Sequence, residues 1–345
     1  MALIKKDGFD YWGNIGNTPV NTEYTISDTS SVVTTASYSP LGGAPIYGTG
    51  KMLAFVQNAV SLKYSFTAGA SFVHGFHFRI NGNDQAHPFL EYQDSGTNQL
   101  KIVINTSYYI EVYRNTTLLG TSSSPLTLDR WYFLEIKFTI NNSTGAVQIK
   151  VDETSVLNLT SQDTQNTGTA TVDSFTFFAA PGNYSGREMG IDNMYFLDTT
   201  GGSLNDFLGE VRIIALAPNA AGNAASWTPL SGANYAAVDD MPHDADSTYV
   251  ESSTSGHYDT YNCAPFTASG TIHAFSVISL AKKTDVGAVS IKNVLRRSGT
   301  NYDGSSITLG STYVYYTETH TVDPSTTTAW TASGIDAAEI GIKLV

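Results

Sequence analysis

The sequence is poor in charged residues, in cysteine and in long apolar runs. Charged residues make up 14% of the 345 residues, and Cys263 is the single cysteine. One cysteine excludes an intrachain disulfide and a zinc site built from cysteines, and it favours a small, buried and inert thiol. No stretch approaches the roughly 18 consecutive apolar residues that a transmembrane helix needs, so we expect no membrane partner.

Basic residues are scarce as well, and their scarcity limits the partners of the chain. The formal net charge is −13, from 18 Lys and Arg against 31 Asp and Glu. A chain of this charge repels a phosphate backbone, so we expect no nucleic-acid partner. Only Ala2, Leu3 and Ile4 separate Met1 from the first lysine, which is too short for the apolar core of a secretory signal. The sequence therefore predicts a chain made in a cytoplasm.

The compact motifs of catalysis are also missing. The stretch GTGKM resembles a phosphate loop, but that loop needs Gly where Pro45 stands and Ser or Thr where Met52 stands. We find neither a G-x-S-x-G nucleophile turn nor a pair of carboxylates at the same-face spacing of a strand. The sequence thus predicts a protein that is not an enzyme, with no catalytic, cofactor-binding or metal-binding residues and no cofactor.

What the sequence does contain is a period-two alternation of apolar and polar residues. The run WYFLEIKFTI places Leu134, Ile136, Phe138 and Ile140 on one face. After the turn cluster NNSTG the run AVQIKVDE repeats the pattern, which predicts a β-hairpin. The runs LKIVIN, YIEVYRN and FVHGFHFRI alternate in the same way. Strands at this spacing, without an amphipathic helix between them, indicate an all-β antiparallel sandwich.

The length of 345 residues favours two domains. The runs Ser174–Ala180 and Ile191–Leu197 supply the last strands of the first domain, and the alternation stops after Asp198. We therefore predict an N-terminal sandwich over 1–200, a linker over 201–208 and a second, smaller β-sandwich over 209–345. A long irregular insertion is expected in the second domain, over about 218–265, because that stretch shows little periodicity.

One acidic cluster has two interpretations. The stretch DDMPHDAD holds four aspartates and a histidine: Asp239, Asp240, Asp244, Asp246 and His243. Oxygen-rich loops can bind calcium, but the EF-hand spacing with its glycine and distal glutamate is missing. We favour the other interpretation, a solvated loop whose aspartates cap turns.

The tryptophans are candidates for ligand contacts. Trp12 and Trp227 stand in loop-like surroundings, where an aromatic side chain can either serve a binding site or pack in the core. Trp131 begins a predicted strand and is expected in the core. Most aromatic residues of a β-protein are cross-strand or core partners.

Several stretches, taken in order, resemble a family of phage proteins. DGFDYWG, DRWYFLEIKFTI with GAVQIKVDE, and IDNMYFLDTTG resemble the laminin-G-like, concanavalin A-type jelly rolls in structural proteins of tailed bacteriophages. The continuation from NDFLGEVRI to the ending DPSTTTAWTASGIDAAEIGIKLV resembles the second module of the same proteins. The resemblance covers nearly the whole chain.

This resemblance implies a fold, a role and partners. The fold would be a concanavalin A-like jelly roll over 1–200, followed by the smaller β-sandwich. The role would be that of a structural component on the exterior of a virion, as a capsid decoration or tail-associated protein. Its partners would be major capsid or tail proteins and further copies of itself. The alternative is a glycan-binding adhesin or receptor-binding module of the virion, with a host surface glycan as its partner. The resemblance brings no catalytic, calcium-binding or sugar-binding residues with it.

Overall fold

The structure is a computed structural model that describes residues 3–12, 14–15, 18–19, 23–27, 32–35, 45–47, 50–55, 60–82, 86–178 and 188–345. Within these ranges nearly all regular structure is β-strand, and the one α-helix, α1, is Ala332–Asp336. None of the helical structure in these ranges has the length and apolar character that crossing a membrane requires. The prediction of an all-β, sandwich-forming chain is confirmed.

The strands fall into two series along the chain. The first series is β1 (Leu3–Asp7), β2 (Asn14–Ile15), β3 (Thr18–Pro19), β4 (Tyr24–Ile26), β5 (Val32–Thr35), β6 (Met52–Phe55), β7 (Ser61–Gly69), β8 (Ser71–Ile80), β9 (His87–Asp94), β10 (Thr97–Ile104), β11 (Tyr109–Arg114), β12 (Thr117–Pro125), β13 (Tyr132–Thr139), β14 (Gly145–Val151), β15 (Thr154–Gln162), β16 (Val172–Phe178) and β17 (Met189–Asp198). The second series is β18 (Pro218–Ala225), β19 (Thr228–Pro229), β20 (Val250–Glu251), β21 (Tyr258–Cys263), β22 (Phe275–Ala281), β23 (Ser290–Arg297), β24 (Thr300–Asp303), β25 (Ile307–Thr308), β26 (Val314–His320) and β27 (Glu339–Leu344). Among the described residues, a 3-10 turn covers Tyr235–Ala237.

The chain divides into two compact units. The first unit comprises Met1–Asp10 and Glu23–Ile214, and the second comprises Tyr11–Thr22 and Ala215–Val345. The predicted linker, 201–208, falls inside the first unit, and the division between the units comes after Ile214. Independent folding of the two parts stays a prediction.

Two antiparallel sheets form the first unit. The first sheet has eight strands in the order β15-β14-β13-β8-β17-β6-β5, with β1 also paired to β17, and the second sheet has the order β12-β11-β10-β9-β16-β7-β4. Aromatic rings from both sheets meet between them, with 4.7 Å between the centroids of Phe66 and Phe196. The alternation seen in the sequence thus places one face of each strand in a shared core.

The predicted hairpin and its buried face are confirmed. Strand β13 pairs with β14, with Ile136 opposite Ile149, and both side chains are fully buried.

His74 lies on the core face of β8 with 0% exposure, and burial lowers the pKa of its ring well below the ordinary value. A neutral imidazole at this place packs as an aromatic ring, 4.5 Å from the ring centroid of Phe175.

The second unit contains a six-stranded sheet in the order β18-β21-β27-β23-β24, with β25 also paired to β23. The separate pair β22-β26 packs on this sheet, since Val277 of β22 shares a buried cluster with Leu295 of β23. Asn293 of β23 donates a hydrogen bond from its Nδ2 to the backbone oxygen of Tyr316, at 2.9 Å, which ties the two layers together.

The structure corrects two expectations for the second unit. The stretch 218–265, expected to be irregular, contains β18 and β21, and β21 lies inside the sheet between β18 and β27. Its alternation escapes notice because Asp259 and Thr260 are polar and buried, with Asp259 accepting hydrogen bonds from Asn234 and Tyr261. The run 271–283 is largely apolar on both faces, which is typical of a strand at the centre of a covered sheet. Its strand, β22, pairs with β26 alone in the described residues.

Candidate functional site

The outer face of the second sheet of the first unit carries a continuous line of polar side chains. Six neighbouring strands, β4, β7, β16, β9, β10 and β11, each contribute one residue in register. We call this set the polar row: Thr25, Lys63, Thr176, Glu91, Lys101 and Tyr113. Successive side chains alternate between the two faces of a strand, so these residues point away from the core.

The burial of neighbouring residues confirms this direction. Leu90 and Tyr92 flank Glu91 along β9, and both have 0% exposure. Phe175 and Phe177 flank Thr176 along β16, and both are equally buried. The polar row therefore stands on a sheet that is rigidly held from below by the aromatic core.

The middle of the polar row is more buried than its ends. Thr176 is 3% exposed and Glu91 is 7% exposed, whereas Lys63, Lys101 and Tyr113 are partly exposed. Thr176 and Glu91 thus form a low polar floor in the middle of the row, and the longer side chains of Lys63, Lys101 and Tyr113 stand on either side of it. Such a shape can accept an extended ligand laid across the strands.

The hydroxyl at the middle of the row has no hydrogen-bond partner among the described residues. Thr176 Oγ1 is inaccessible to solvent and makes no hydrogen bond to another atom of the described residues. Beside it, the Glu91 carboxylate accepts a hydrogen bond from Gln93 Nε2 at 3.1 Å. Buried polar groups in folded proteins are nearly always hydrogen-bonded, so an unpartnered one calls for an explanation.

Strand β11 adds two aromatic rings and a fixed carboxylate to this face. Tyr109, Glu111 and Tyr113 alternate with the buried Ile110 and Val112. Glu111 accepts hydrogen bonds from Asn105 Nδ2 at 2.7 Å and from Tyr113 Oη at 2.8 Å. The hydrogen bond to Glu111, together with burial, raises the pKa of Tyr113 above its ordinary value, so the phenol stays a donor.

The outer face of the first sheet is occupied by the chain itself. Residues 206–213, which we call the strap, cross this face after β17. The backbone nitrogen of Gly209 donates to Glu135 Oε1 at 3.0 Å, and that of Ile213 donates to Asn193 Oδ1 at 2.7 Å. Glu135 also accepts a hydrogen bond from the hydroxyl of Tyr195.

A second group of side chains holds the strap near its centre. Glu210 Oε1 lies 3.1 Å from His77 Nε2 and accepts a hydrogen bond from Tyr47 Oη at 2.9 Å. Burial lowers the pKa of His77, although the hydrogen bond to Glu210 opposes the change. Histidine, tyrosine and carboxylate can serve acid–base chemistry. Here the histidine and the tyrosine both contact the carboxylate of Glu210, which belongs to the strap.

The acidic loop singled out in the sequence is held by contacts within the second unit. Asp240 and Asp244 both accept hydrogen bonds from Thr248 Oγ1, at 3.0 and 2.9 Å. Asp246 lies 2.7 Å from Lys282 Nζ and accepts a hydrogen bond from Tyr313 at 2.7 Å. Across the described part of the chain, no three His, Cys, Asp or Glu residues are grouped as a metal ion requires.

The tryptophans and the cysteine have packing roles. Trp12 is 3% exposed, and Trp227 packs on a buried cluster of the second unit while its Nε1 donates to the backbone oxygen of His257 at 3.2 Å. Trp131, expected in the core, is instead half-buried and lies one residue before β13. Burial raises the pKa of the Cys263 thiol to about 11, which keeps it protonated and poorly nucleophilic at neutral pH.

Sequence reasoning missed the polar row. Alternation does mark Lys63, Glu91, Lys101 and Thr176 as outward residues of their strands. Their alignment depends on strand order, and β16 lies between β9 and β7 although it is distant from both along the chain. A single sequence carries no signal for that pairing.

The comparisons with known proteins concern solved structures. No protein-family model matches the chain, and no curated protein matches it. A sialidase is similar at TM-score 0.37 and 12% identity, over 50% of this chain and 17% of the sialidase, so this chain spans a small part of that protein. An alginate lyase is similar at TM-score 0.36 and 14% identity, over 48% of this chain and 96% of the lyase. The carbohydrate-binding module CBM66 of Bacillus subtilis is similar at TM-score 0.33 and 10% identity, over 52% of this chain and 97% of the module.

These similarities overturn one prediction. The sequence was expected to belong to a protein without enzymatic activity, yet the similar solved structures include lyases and sialidases. The missing motifs were therefore insufficient grounds for excluding catalysis, because distant strands can bring catalytic groups together. At identities of 10–14% the likeness concerns the fold alone.

Proposed function

We propose that the first unit binds a glycan along the polar row of its second sheet. The observation that carries this proposal is the register of the polar row, in which six neighbouring strands place one polar side chain each in a continuous line. A sugar polymer carries hydroxyl donors and acceptors along its length, so it can meet such a row at several points.

The side chains of β11, toward one end of the polar row, suit the same class of ligand. Tyr109 and Tyr113 offer flat apolar rings on either side of the Glu111 carboxylate. Ligand sites commonly combine aromatic surface with a few fixed polar groups, and the carboxylate here is held by two hydrogen bonds. Apolar ring faces can pack on the C–H face of a sugar while the carboxylate accepts from its hydroxyls.

The length of the row favours a polymer over a monosaccharide. The row crosses six strands, which gives five intervals of about 4.8 Å each and a span of about 24 Å. Several consecutive units of an extended glycan fit this span. The first sheet offers no equivalent surface at the strap, since the chain covers it there.

The resemblance of the sequence to phage structural proteins supports a setting for this activity. We propose that the protein is a component of a virion, in contact with capsid or tail proteins, and that the polar row faces a host surface glycan. Mass spectrometry of gradient-purified particles tests the setting. Finding the protein in the soluble lysate alone, with washed particles free of it, would argue against it.

The binding proposal is tested with Tyr113→Ala on a panel of immobilised bacterial and algal polysaccharides. The wild-type protein should bind at least one of them, and the variant should bind it about 2- to 10-fold more weakly, because it lacks a ring face on which a sugar can pack. The fold should stay intact, because the Tyr113 side chain is partly exposed.

Thr139→Val is the matched control. Thr139 lies on the first sheet with its Oγ1 at 2.8 Å from Ser71 Oγ. This variant should lose stability and keep glycan binding. Equal binding by wild type and Tyr113→Ala, or no binding to any polysaccharide, would contradict the proposal.

A further inference from the structure

Two ammonium groups of the polar row have no ionic partner within the described residues. No described carboxylate lies within 4.0 Å of Lys63 Nζ or Lys101 Nζ. Other lysines of the chain are paired at short range, such as Lys137 with Asp206 at 3.0 Å and Lys343 with Asp303 at 2.8 Å. The two lysines of the row therefore present positive charge to a ligand.

Two carboxylates on the same sheet face are engaged by their own chain. Glu111 accepts hydrogen bonds from Asn105 and Tyr113. Glu91 accepts one from Gln93 and is 7% exposed, below the level of the lysines. A ligand in the row therefore meets the ammonium groups before it meets these acids.

The two lysines are also well separated. Lys63 stands on β7 and Lys101 on β10, with Thr176 and Glu91 on the two strands between them. Three strand intervals place their Cα atoms about 14 Å apart. A single small anion cannot reach both, whereas an extended glycan can place an acidic group at each.

We infer that the glycan of the polar row is an acidic polymer of uronic acid units, whose carboxylates on two separate units contact Lys63 and Lys101. This inference rests on the proposed function. The net charge of −13 repels a polyanion at long range. That repulsion is screened beyond about 8 Å at physiological salt, so the local lysines decide the contact.

The test compares three uronate polymers of different backbone, each beside its own methyl ester, in which the carboxylates are neutral. Wild-type protein should bind at least one uronate polymer more tightly than its ester, and this preference should shrink as salt is added. Lys63→Met and Lys101→Met should each weaken uronate binding about fivefold and leave binding of the ester unchanged. Oligomers too short to reach both lysines should bind far more weakly than longer ones.

Lys137→Met is the matched control, because Lys137 is a lysine of the first sheet that pairs with the strap. It should leave the preference for uronate unchanged. Equal binding of a polymer and its ester, or binding of neutral glycans alone, would overturn the inference and leave the proposed function intact. Failure of every glycan to bind would overturn both.

Discussion

The aromatic ring of Tyr195 lies directly over Gly75. The two residues are opposite each other in the β17–β8 pairing, and a Cβ at position 75 would overlap the ring. The ring crosses β8 at this glycine, and its hydroxyl donates to Glu135 on the next strand, β13. Because Gly75 has no side chain, the Tyr195 ring can reach from β17 across β8 to Glu135 on β13. Glu135 also accepts a hydrogen bond from the strap.

Gly75→Ala should destabilise the first unit by about 1–3 kcal/mol, because the added methyl group forces the Tyr195 ring to move within a packed layer. Urea denaturation monitored by tyrosine and tryptophan fluorescence measures the change. Gly168→Ala is the control, since a Cβ there meets no atom within 4 Å. A stability loss of equal size in both variants would contradict the packing argument.

Glu135→Leu should destabilise the first unit by about 2–4 kcal/mol. The substitution leaves the hydroxyl of Tyr195 and the backbone nitrogen of Gly209 without their acceptor in a buried place. Glu135→Gln keeps an acceptor oxygen and should cost less. Chemical denaturation of the two variants checks the order, and the opposite order would show that the carboxylate does not hold the strap.

The stability of the first unit should depend on the ionisation of Asp192. Burial, with a smaller effect of Asp10 and Asp7, raises the pKa of Asp192 from 3.8 to about 8. The folded state therefore holds a proton that the unfolded state has released between these values. Stability contributed by this group is lost as pH rises through that window, by up to about 1.4 kcal/mol per pH unit.

Asp192→Asn isolates this effect. The stability of the variant relative to wild type should rise steadily between pH 5 and pH 8, as measured by urea denaturation at each pH. Asp94→Asn is the control, because hydrogen bonds from Thr169, Thr167 and Thr171 lower the pKa of Asp94 and keep it ionised throughout. A pH-independent difference for Asp192→Asn would contradict the predicted ionisation.

The strap makes a prediction about where the first unit ends. A fragment of residues 1–214 should be more stable than one of residues 1–198, by about 2–4 kcal/mol, because the shorter fragment lacks the donors to Glu135 and Asn193. Circular dichroism during urea titration compares the two. Equal midpoints would show that the strap adds no stability to the first unit.

The strands of the first unit could be predicted because their buried residues are apolar and recur at every second position. Leu134, Ile136 and Phe138 repeat every second residue, and all three are buried. The strap could not be predicted, because two of its contacts with the sheet are made by backbone nitrogens, which every residue carries. Its side-chain contact between Glu210 and His77 joins residues that are distant along the chain. Strand β21 was missed for a related reason: its buried Asp259 is polar and satisfied by distant residues.

The candidate site could not be predicted from the sequence, because it depends on the order of the strands in the sheet. Lys101 and Glu91 belong to one hairpin and could have been placed together. Thr176 joins them only because β16 inserts between β9 and β7, which closes the middle of the sheet. Function-bearing residues on an outer sheet face lack the apolar periodicity that reveals a core.

The most direct test of the account is to locate the bound glycan by hydrogen exchange. The protein is compared with and without the polysaccharide that binds best, using mass spectrometry of backbone amide exchange. We predict slower exchange in the ligand-bound protein within β9, β10 and β16, with the strap and the second unit unchanged. Protection confined to the strap or to the second unit would contradict a glycan site on the polar row.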